Sequence, residues 1–390
     1  MLKLSIIPAM KNHTILIATA RHLIPYLTKE LEQFNFGGLS PHPAGITLKG
    51  SFEDVMFLNL HSRCAHHIHL LLKEFKCYNP EELYKEIYKI PWENFIFEDG
   101  YISTFSNVSS PTITNSQFAN LKCKDAIVDR LLKIKARRTD SGPEKDKAVI
   151  YLYWKDQYCA IYLDTSGEPL SRRNYRKNPG KAPIQETLAA ALISATGYDA
   201  TMPLTNPMCG SGTLAIEAAL IALNYAPGLL RDNFGFMHIK EFDENAWKKL
   251  REDAQNKIRK TLPNPIIASD IDEKAIAAAK SNAYAARIAD FLEFYVCDFS
   301  DTPLPKEKGI VLVNPEYGER LGRVSDLEKT YGRLGDFFKQ KCAGYTCYVF
   351  TGNFALAKKI GLKTSQRLQF FNADIECRLL KYEMYEGSKR

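Results

Sequence analysis

The chain has 390 residues and a formal net charge of +7, and its 45% hydrophobic and 25% charged residues are typical of a soluble globular protein with two or three domains. No apolar run approaches the length of a membrane-spanning helix, and the start, MLKLSIIPAMKNH, lacks the apolar core of a signal peptide. The nine cysteines are odd in number and form no CxxC pair, so we expect reduced thiols in a cytoplasmic protein rather than a disulfide framework.

The first part of the chain, up to about Leu163, is predicted to be a mixed α+β half. Alternating apolar residues indicate its strands, and apolar residues three or four apart indicate its helices. The predicted elements are, in order, the strand TILIATA, the helix HLIPYLTKELEQF, the strand AGITLKG, the mostly helical FEDVMFLNLHSRCAHHIHLLLKEF, the helix PEELYKEIYKI, the strand YISTFSNVSS, the helix SQFANLKCKDAIVDRLLKIKAR and two strands within KAVIYLYWKDQYCAIYLDTSG.

The polar and basic segment LSRRNYRKNPGKAP marks the main predicted domain boundary. Beyond it, helices and strands alternate, which indicates a doubly wound sheet. The predicted elements are the helix IQETLAAALISATG, the weak strand ATMPLTN, the helix TLAIEAALIALN, the strand NPIIASD, the helix DEKAIAAAKSNAYAAR, the strands LEFYVCD and GIVLVN, the helix DLEKTYGRLGDFFKQKC and the closing strands TCYVFTGN and QFFNADIECRLLKYEM.

The segment NPMCGSGT, residues 206–213, joins the weak strand to an alanine-rich helix. Gly210 and Gly212 allow the backbone to approach a ligand closely, and Ser211 or Thr213 can cap the helix. A glycine loop that enters a helix suits an anionic or nucleotide ligand, although such turns also serve packing. A P-loop is not predicted, because no lysine precedes Thr213 and the required spacing is missing.

Polar residues end the strands that follow. Asp270 ends the first of them, where an acid can bind two ribose hydroxyls, and Asp298 ends the next, where it could bind an adenine amine. Asn314 ends the strand GIVLVN and is followed by Pro315 and then Tyr317. Each acid could also be a cap or turn residue. Asp272, which starts the next helix, is more simply explained as its N-cap. Together, in strand order, they favour a ligand site at one edge of the sheet.

Asp270 lies farther from the glycine loop than the usual gap of about 20 residues. Residues 225–264 are therefore predicted to be an insertion.

These motifs resemble class I S-adenosylmethionine-dependent methyltransferases that act on nitrogen, whose fourth motif is Asn/Asp-Pro-Pro-Tyr/Phe. The segments DTSGEPLSRRNYRKNPGKAPIQETLAAALI, NPMCGSGTLAIEAALIALNYAPGLLR and NPEYGERLG are similar to the THUMP-domain RNA guanine-N2 methyltransferases, in particular to the group that modifies bacterial 23S ribosomal RNA. The resemblance extends over essentially the whole chain.

The resemblance implies a Rossmann-like class I methyltransferase domain at 166–390, preceded by an α+β half. That half would contain a ferredoxin-like segment at 1–65 and a THUMP RNA-binding domain at 66–165. The implied cofactor is S-adenosyl-L-methionine. The implied partner is RNA, most directly 23S rRNA or a large-subunit precursor, with no membrane and no metal.

The resemblance also assigns roles to the site residues. Asn314 and Pro315 would accept hydrogen bonds from the guanine N2 amine, a poor nucleophile whose lone pair is delocalised, and Tyr317 would stack on the base. The implied cofactor-binding residues are Asn206, Cys209, Gly210, Gly212, Asp270 and Asp298.

Two positions depart from the family pattern: Asn206 stands where Asp is usual, and Glu316 stands where a second Pro is usual. They motivate one alternative, a catalytically weakened RNA-binding ribosome assembly factor. A second alternative is a tRNA guanine-N2 methyltransferase, because THUMP enzymes also act on tRNA. A nicotinamide dehydrogenase is the alternative at the level of fold, and the incomplete GxGxxG together with NPEY argues against it.

Two basic clusters are predicted to contact RNA phosphates, with solvated surface as the alternative. Tyr175 is interleaved with the second of them. The clusters are Lys133, Lys135, Arg137 and Arg138, and Arg172, Arg173, Arg176 and Lys177.

A histidine-rich segment, HSRCAHHIH, suggests a metal site at first sight. On a helix His66 and His69 could share a face, but no second ligand cluster follows at a zinc-finger spacing, so no metal is predicted. Cys209 is not predicted to be a nucleophile, because it lies in the cofactor loop. Glu186 and Thr187, near the start of a helix, either contact the cofactor or pack against the helix.

Overall fold

The computed structural model describes residues 12–98, 100–111, 115–135, 138–177, 184–317 and 324–385. The described part of the chain forms two compact units. The first contains the residues up to Leu170, apart from Pro25–Leu27, and a later segment, Arg231–Asp253; the second contains the rest. Within these residues, no helix is both long enough and apolar enough to cross a membrane.

The first unit is built on an eight-stranded sheet in the order β2-β3-β1-β4-β8-β7-β5-β6. Its strands are β1 His13–Ala18, β2 Ser40–His42, β3 Gly45–Gly50, β4 His67–Lys76, β5 Tyr101–Ser109, β6 Asp140–Ser141, β7 Ala148–Lys155 and β8 Tyr158–Asp164. Its helices before residue 170 are α1 Ile24–Gln33, α2 Phe52–His61, α3 Pro80–Tyr88 and α4 Ser116–Lys135.

Local signals explain where two of these helices begin. The Ser51 side chain accepts from the Asp54 N–H while the Ser51 N–H donates to the Asp54 carboxylate, so a capping box starts α2. The Asn79 side chain accepts from the Glu82 N–H, and Pro80 follows as the first residue of α3.

The histidine-rich segment is not helical. The helix ends at His61, and β4 begins at His67, so the predicted helix over FEDVMFLNLHSRCAHHIHLLLKEF is wrong for its second half. Ile68 and Leu70 are buried on one face of the strand and alternate with His67 and His69 on the other. This period of two is the strand signal that the long apolar run concealed.

The segment Arg231–Asp253 interrupts the second unit in sequence but packs in the first. The Phe236 N–H donates to the Thr165 carbonyl at 2.9 Å. The buried Phe236 ring lies 5.0 Å from the Trp247 ring, edge to face. Trp247 belongs to a helix that the sequence did not predict, α7 Glu244–Asn256. This segment falls within the predicted insertion.

The second unit has a seven-stranded sheet in the order β11-β10-β9-β12-β13-β15-β14. The first five strands in this order pair in parallel, whereas β15 pairs antiparallel with both neighbours. Its strands are β9 Leu204–Pro207, β10 Ile266–Asp270, β11 Glu293–Val296, β12 Ile310–Val313, β13 Thr346–Thr351, β14 Gln366–Asn372 and β15 Ile375–Glu383. Its helices, α7 aside, are α5 Glu186–Thr196, α6 Thr213–Ala222, α8 Glu273–Ala285, α9 Val324–Lys341 and α10 Phe354–Lys359.

The central strands of this sheet are buried along their length. All residues of β9 and β12 are buried, as are all of β10 except Asp270. Continuous burial of parallel strands is expected when helices cover both faces of a sheet. The predicted alternation of helices and strands is confirmed, and α10 is a further helix that the sequence did not predict.

Candidate active site

The predicted site residues lie at the carboxyl ends of four adjacent parallel strands, β11, β10, β9 and β12. The strand β9 pairs with β10 on one side and β12 on the other. The chain therefore runs to opposite sides of β9, which makes this edge a topological switch point. Open α/β sheets bind ligands at such points.

The glycine loop after β9 has a strained backbone. Met208, Gly210 and Gly212 all have positive φ, at 55°, 54° and 83°. A Cβ added to Gly212 would lie 2.9 Å from the Ala279 Cβ on α8, so only glycine fits there. A Cβ at Gly210 would meet nothing within 4 Å, so at that position the loop borders open space.

Asp270 fastens this loop to the end of β10. One carboxylate oxygen accepts from the Gly210 N–H at 2.9 Å, and the other accepts from the Asp272 N–H at 3.0 Å. Asp272 is the N-cap of α8, which confirms the simpler of its two explanations. A carboxylate has about four acceptor positions, so these two bonds leave capacity for ligand hydroxyls.

Replacing Asp270 should therefore weaken nucleotide binding in two ways, by removing ligand acceptors and by releasing the loop. We expect Asp270→Ala to weaken the affinity for S-adenosylhomocysteine about tenfold or more, the equivalent of one charge-assisted hydrogen bond. Asp270→Asn keeps one acceptor oxygen and should lose less. Titration calorimetry measures both, and wild-type affinity in Asp270→Ala would remove this carboxylate from the site.

Two buried amide oxygens at this edge have no hydrogen-bond donor among the described residues. The Asn206 side chain is fully buried and donates to the Leu312 carbonyl at 2.7 Å, but its Oδ1 has no partner in that part of the chain. The Asn314 Oδ1 is also buried and lacks a donor within the same described ranges. A buried acceptor without a partner costs about 1–3 kcal/mol, so each oxygen calls for a donor from a water, a bound molecule or a residue outside the described ranges.

The segment after β12 is held by residues of the neighbouring elements. Pro315 is buried, and the hydroxyl of the buried Tyr331 lies 3.4 Å from the Glu316 carbonyl and 2.8 Å from the Thr351 hydroxyl. The side chain of Glu316 is exposed. The backbone is therefore anchored on both sides of an outward-facing carboxylate.

The Tyr317 ring is half-buried and fixed at its hydroxyl, which accepts from the Asn372 amide at 2.9 Å. Burial raises the pKa of this phenol, so it stays protonated at neutral pH. A Cβ on Gly352 would lie 3.0 Å from the ring, so the glycine makes room for it. Tyr317 therefore presents a positioned aromatic ring three residues after Asn314.

Asp298 follows β11 and is partly exposed. Its carboxylate accepts from the Ser300 N–H at 3.0 Å and from the Arg333 guanidinium at 2.7 Å. Burial alone would raise the pKa of this carboxyl, but the Ser300 and Arg333 donors outweigh burial and lower it. Asp298 is thus an ionised acceptor.

Exposed apolar side chains lie beside these acids. Ile271, directly after Asp270, is 71% exposed, and Val296, two residues before Asp298, is 52% exposed. They supply apolar surface for a planar ring next to hydrogen-bond acceptors. The sequence interpretation missed them, although an apolar residue directly after a strand-end acid was a visible signal.

The basic segment 172–177 divides into two pairs: Arg173 and Arg176 face inward, whereas Arg172 and Lys177 are exposed. Arg173 is 1% exposed, and its Nε lies 3.5 Å from a carboxylate oxygen of Glu217, which is fully buried in α6. The Tyr175 hydroxyl donates to the same oxygen at 3.1 Å. The prediction that Arg173 contacts RNA is therefore wrong, because its guanidinium is committed to a buried acid.

Arg176 is only partly exposed and also faces inward. Its guanidinium lies 3.3 Å from a Glu186 carboxylate oxygen and donates to the Thr213 hydroxyl at 3.2 Å. Thr213 begins α6 directly after the glycine loop, so Arg176 holds the residue that joins the loop to the helix. Thr187 is fully buried, and Glu186 faces Arg176, which accords with packing for both.

The other basic residues vary in position. Arg172 and Lys177 are exposed, as are Lys133 and Arg138. Arg137 and the side chain of Lys135 lie outside the described residues. Four of the predicted RNA-binding residues therefore lie on the surface.

The environments of Cys209 and of the clustered histidines bear on the nucleophile and metal hypotheses. Burial raises the pKa of Cys209, so the thiolate needed for nucleophilic attack is disfavoured. His67 Nδ1 lies 2.8 Å from a carboxylate oxygen of buried Asp164, and burial lowers the pKa of His69 to about 4. Across the described ranges, no group of three or more His, Cys, Asp or Glu residues could hold a metal ion.

Comparison with known proteins assigns families to successive segments. Residues 14–69 match the RlmL ferredoxin-like domain, residues 77–164 the THUMP domain, and residues 173–381 the RMKL-like methyltransferase domain. The predicted fold classes, a ferredoxin-like segment and a THUMP domain followed by a class I methyltransferase domain, are confirmed.

Named relatives agree with these matches. A Synechocystis protein named "Putative RNA methyltransferase" is 36% identical, over 94% of this chain and 95% of its own length. The Psychromonas ingrahamii ribosomal RNA large subunit methyltransferase K/L is 38% identical over 94% of this chain. The chain spans about half the length of that relative, 50%.

Solved structures share the architecture. The crystal structure of SMU.472 complexed with SAH has a TM-score of 0.87 and 26% identity, covering 97% of this chain and all of that one. A Clostridium difficile 630 structure described as a possible methylase has a TM-score of 0.86 and 30% identity, covering 97% of this chain. Both likenesses extend over both units.

Proposed function

We propose that this chain, which belongs to the family of RMKL-like methyltransferase-domain proteins, transfers a methyl group from S-adenosylmethionine to the N2 amine of a guanosine in 23S ribosomal RNA. The observation that carries the proposal is the buried Oδ1 of Asn314 at the end of β12, which lacks a donor in the described residues. It lies on a strand adjacent to the one that leads into the glycine loop. The rRNA methyltransferase relatives and the THUMP match support RNA as the substrate.

S-adenosylmethionine supplies an electrophilic methyl group on a sulfonium sulfur. The other buried oxygen of this kind, Asn206 Oδ1, fits the cofactor's amino group. Asp270 fits the ribose hydroxyls, and Asp298 fits the adenine amine between the exposed side chains of Ile271 and Val296. Residues of this chain therefore fit three polar parts of the cofactor, namely its amino group, its ribose hydroxyls and its adenine amine.

The target amine would be positioned by Asn314 and Pro315. Both offer acceptor oxygens, which would orient the amine and stabilise the positive charge that develops on nitrogen during attack. The fixed Tyr317 ring would stack on a base that has left its helix. No covalent nucleophile enters this scheme, in agreement with the raised pKa of Cys209.

The direct test is single-turnover methyl transfer from isotopically labelled S-adenosylmethionine to large-subunit rRNA and, in a separate reaction, to tRNA, both from a deletion strain. Label recovered in N2-methylguanosine from 23S rRNA is the expected result. Label that enters only tRNA would replace the substrate and favour a tRNA guanine-N2 methyltransferase. Label in a different modified nucleoside would overturn the guanine-N2 assignment.

A catalytically weakened assembly factor is the second candidate, and Asn206 is the observation that favours it. This side chain is fully buried and neutral at a position where the resemblance leads one to expect a carboxylate. A neutral oxygen binds the cofactor's ammonium less strongly than a carboxylate does. Cofactor binding and rRNA binding without label transfer would select this candidate.

Glu316 departs from the family pattern at an exposed position. Its backbone N–H has no acceptor among the residues that the structure describes, so a proline there removes no hydrogen bond within them. We expect Glu316→Pro to keep or raise the single-turnover rate. Glu316→Ala is the control for loss of the charge alone. A rate that falls in both variants would give the carboxylate a role of its own.

A further inference from the structure

A groove of about 660 Å³ lies between α3 and α4 in the first unit. Its walls combine two tyrosines with lysine side chains and one apolar residue. The lining residues used below are Tyr84, Lys85, Tyr88, Asp129, Leu132 and Lys133. None of these except Lys133 was singled out in the sequence.

The two tyrosines form one aromatic wall. Tyr84 and Tyr88 are one helical turn apart, and their ring centroids lie 6.1 Å apart at an interplanar angle of 20°. The Tyr84 hydroxyl donates to the Asp129 carboxylate at 2.6 Å, which ties this wall to α4. Tyr88 remains half-buried, and Leu132 opposite is 43% exposed.

Two cations at this groove are uncommitted. The side chains of Lys85 and Lys133 are exposed, and neither ammonium has a partner among the described residues. Lys89 differs, because its ammonium lies 2.5 Å from the Glu86 carboxylate. The aromatic wall is therefore flanked from both helices by positive charge that is available to a ligand.

We propose that this groove binds a single-stranded segment of the substrate RNA, with a base against Tyr88 and phosphates at Lys85 and Lys133. Flat aromatic faces combined with unpaired cations suit exposed bases on a charged backbone, which a duplex does not offer. The Asp129 carboxylate can accept from a base amine. The inference rests on the proposed function, because it takes RNA as the substrate.

The test measures direct binding of the full chain to a labelled single-stranded RNA of about 16 nucleotides, the upper site size for one single-strand-binding fold, and to the matching duplex by fluorescence anisotropy. Tyr88→Ala should weaken single-strand binding about 5- to 150-fold, the range for one lost stacking contact. Tyr284→Ala is the aromatic control, because Tyr284 is 80% exposed on α8 in the second unit. It should bind as the wild type does.

The second part of the test asks whether the two lysines contact phosphates, and it uses the double variant Lys85→Glu, Lys133→Glu. Each lost phosphate contact on single-stranded RNA lowers the slope of log affinity against log salt by about 0.7, so two should lower it by about 1.4. Lys29→Glu on α1 is the control, since Lys29 is exposed and has no partner in the part of the chain that the structure describes. All three lysines are exposed, so these variants should fold.

The outcomes separate this inference from the proposed function. Wild-type affinity and salt slope in Tyr88→Ala and in the double variant would overturn the groove as an RNA site, even if the wild type methylates rRNA. Loss with the lysines alone would overturn base stacking. Equal losses for single strand and duplex would overturn single-strand preference. A wild type that binds neither RNA would overturn the inference alone, because the proposed function is tested separately by label transfer to rRNA. The affinity for S-adenosylhomocysteine should remain unchanged in all variants.

Discussion

Asn314→Ala is expected to slow methyl transfer to rRNA about 100-fold or more, while the affinity for S-adenosylhomocysteine stays at the wild-type value. The magnitude follows from lost oxyanion-hole groups, where removal of one preorganised partner at a transition state costs about 10²–10³ in rate. The Asn314 Oδ1 lacks a donor in the described residues, and the proposed mechanism gives this acceptor to the target amine. The cofactor contacts are assigned to other residues.

The measurement is a single-turnover rate at saturating cofactor and rRNA, alongside calorimetric titration with S-adenosylhomocysteine. Asn314→Asp is the matched control, because it keeps an acceptor oxygen at the same position. It should retain more activity than Asn314→Ala. A wild-type rate in Asn314→Ala would sink the catalytic assignment, and a parallel loss of cofactor affinity would place this side chain in the cofactor site instead.

Arg173→Met should destabilise the second unit by about 3–5 kcal/mol, because removal of the guanidinium leaves a carboxylate buried without its ion partner. The Arg173 and Glu217 side chains are 2% and 0% exposed. The neighbouring Arg172 is exposed, and Arg172→Met should change stability by no more than about 0.5 kcal/mol. Urea unfolding followed by circular dichroism compares the two variants.

A double variant shows whether Arg173→Met lowers stability through the unpaired buried charge or through lost packing. In the double variant Arg173→Met, Glu217→Gln, no charge of this pair remains buried, so much of the stability should return. The Tyr175 hydroxyl can still donate to the amide oxygen that Glu217→Gln introduces. An Arg173→Met midpoint equal to that of Arg172→Met would contradict the structural role given to the buried pair.

The edge of the sheet that carries the candidate site could be predicted from sequence for a physical reason. Short buried strands that end in polar residues indicate both their direction and their end, so the sequence alone predicts that Asp270 and Asn314 lie close together. The insertion between the glycine loop and Asp270 could be inferred only as a surplus of residues. That Arg231–Asp253 packs in the other unit depends on distant partners, such as Thr165.

Two predictions failed because a local pattern has two physical explanations. The apolar run in HSRCAHHIHLLLKEF suits a helix or a buried strand equally, and pairing of His67–Lys76 with β1 and β8 decided the outcome. The second failure is Arg173, which lies in a basic segment that resembles a surface in sequence. Its interior position depends on Glu217, a single acid in an apolar helix, which when buried needs a cationic partner from elsewhere in the chain.

The packing of Arg231–Asp253 in the first unit has a consequence for biosynthesis. Nascent domains usually close in order from the amino terminus as they leave the ribosome. Here the first unit lacks the buried rings of Phe236 and Trp247 until that later stretch has been translated. By then the ribosome has already released the glycine loop and α6, which precede the stretch. The first unit therefore closes only after the start of the second unit has emerged, yet before the strands β10 to β15 that complete the second sheet have been translated.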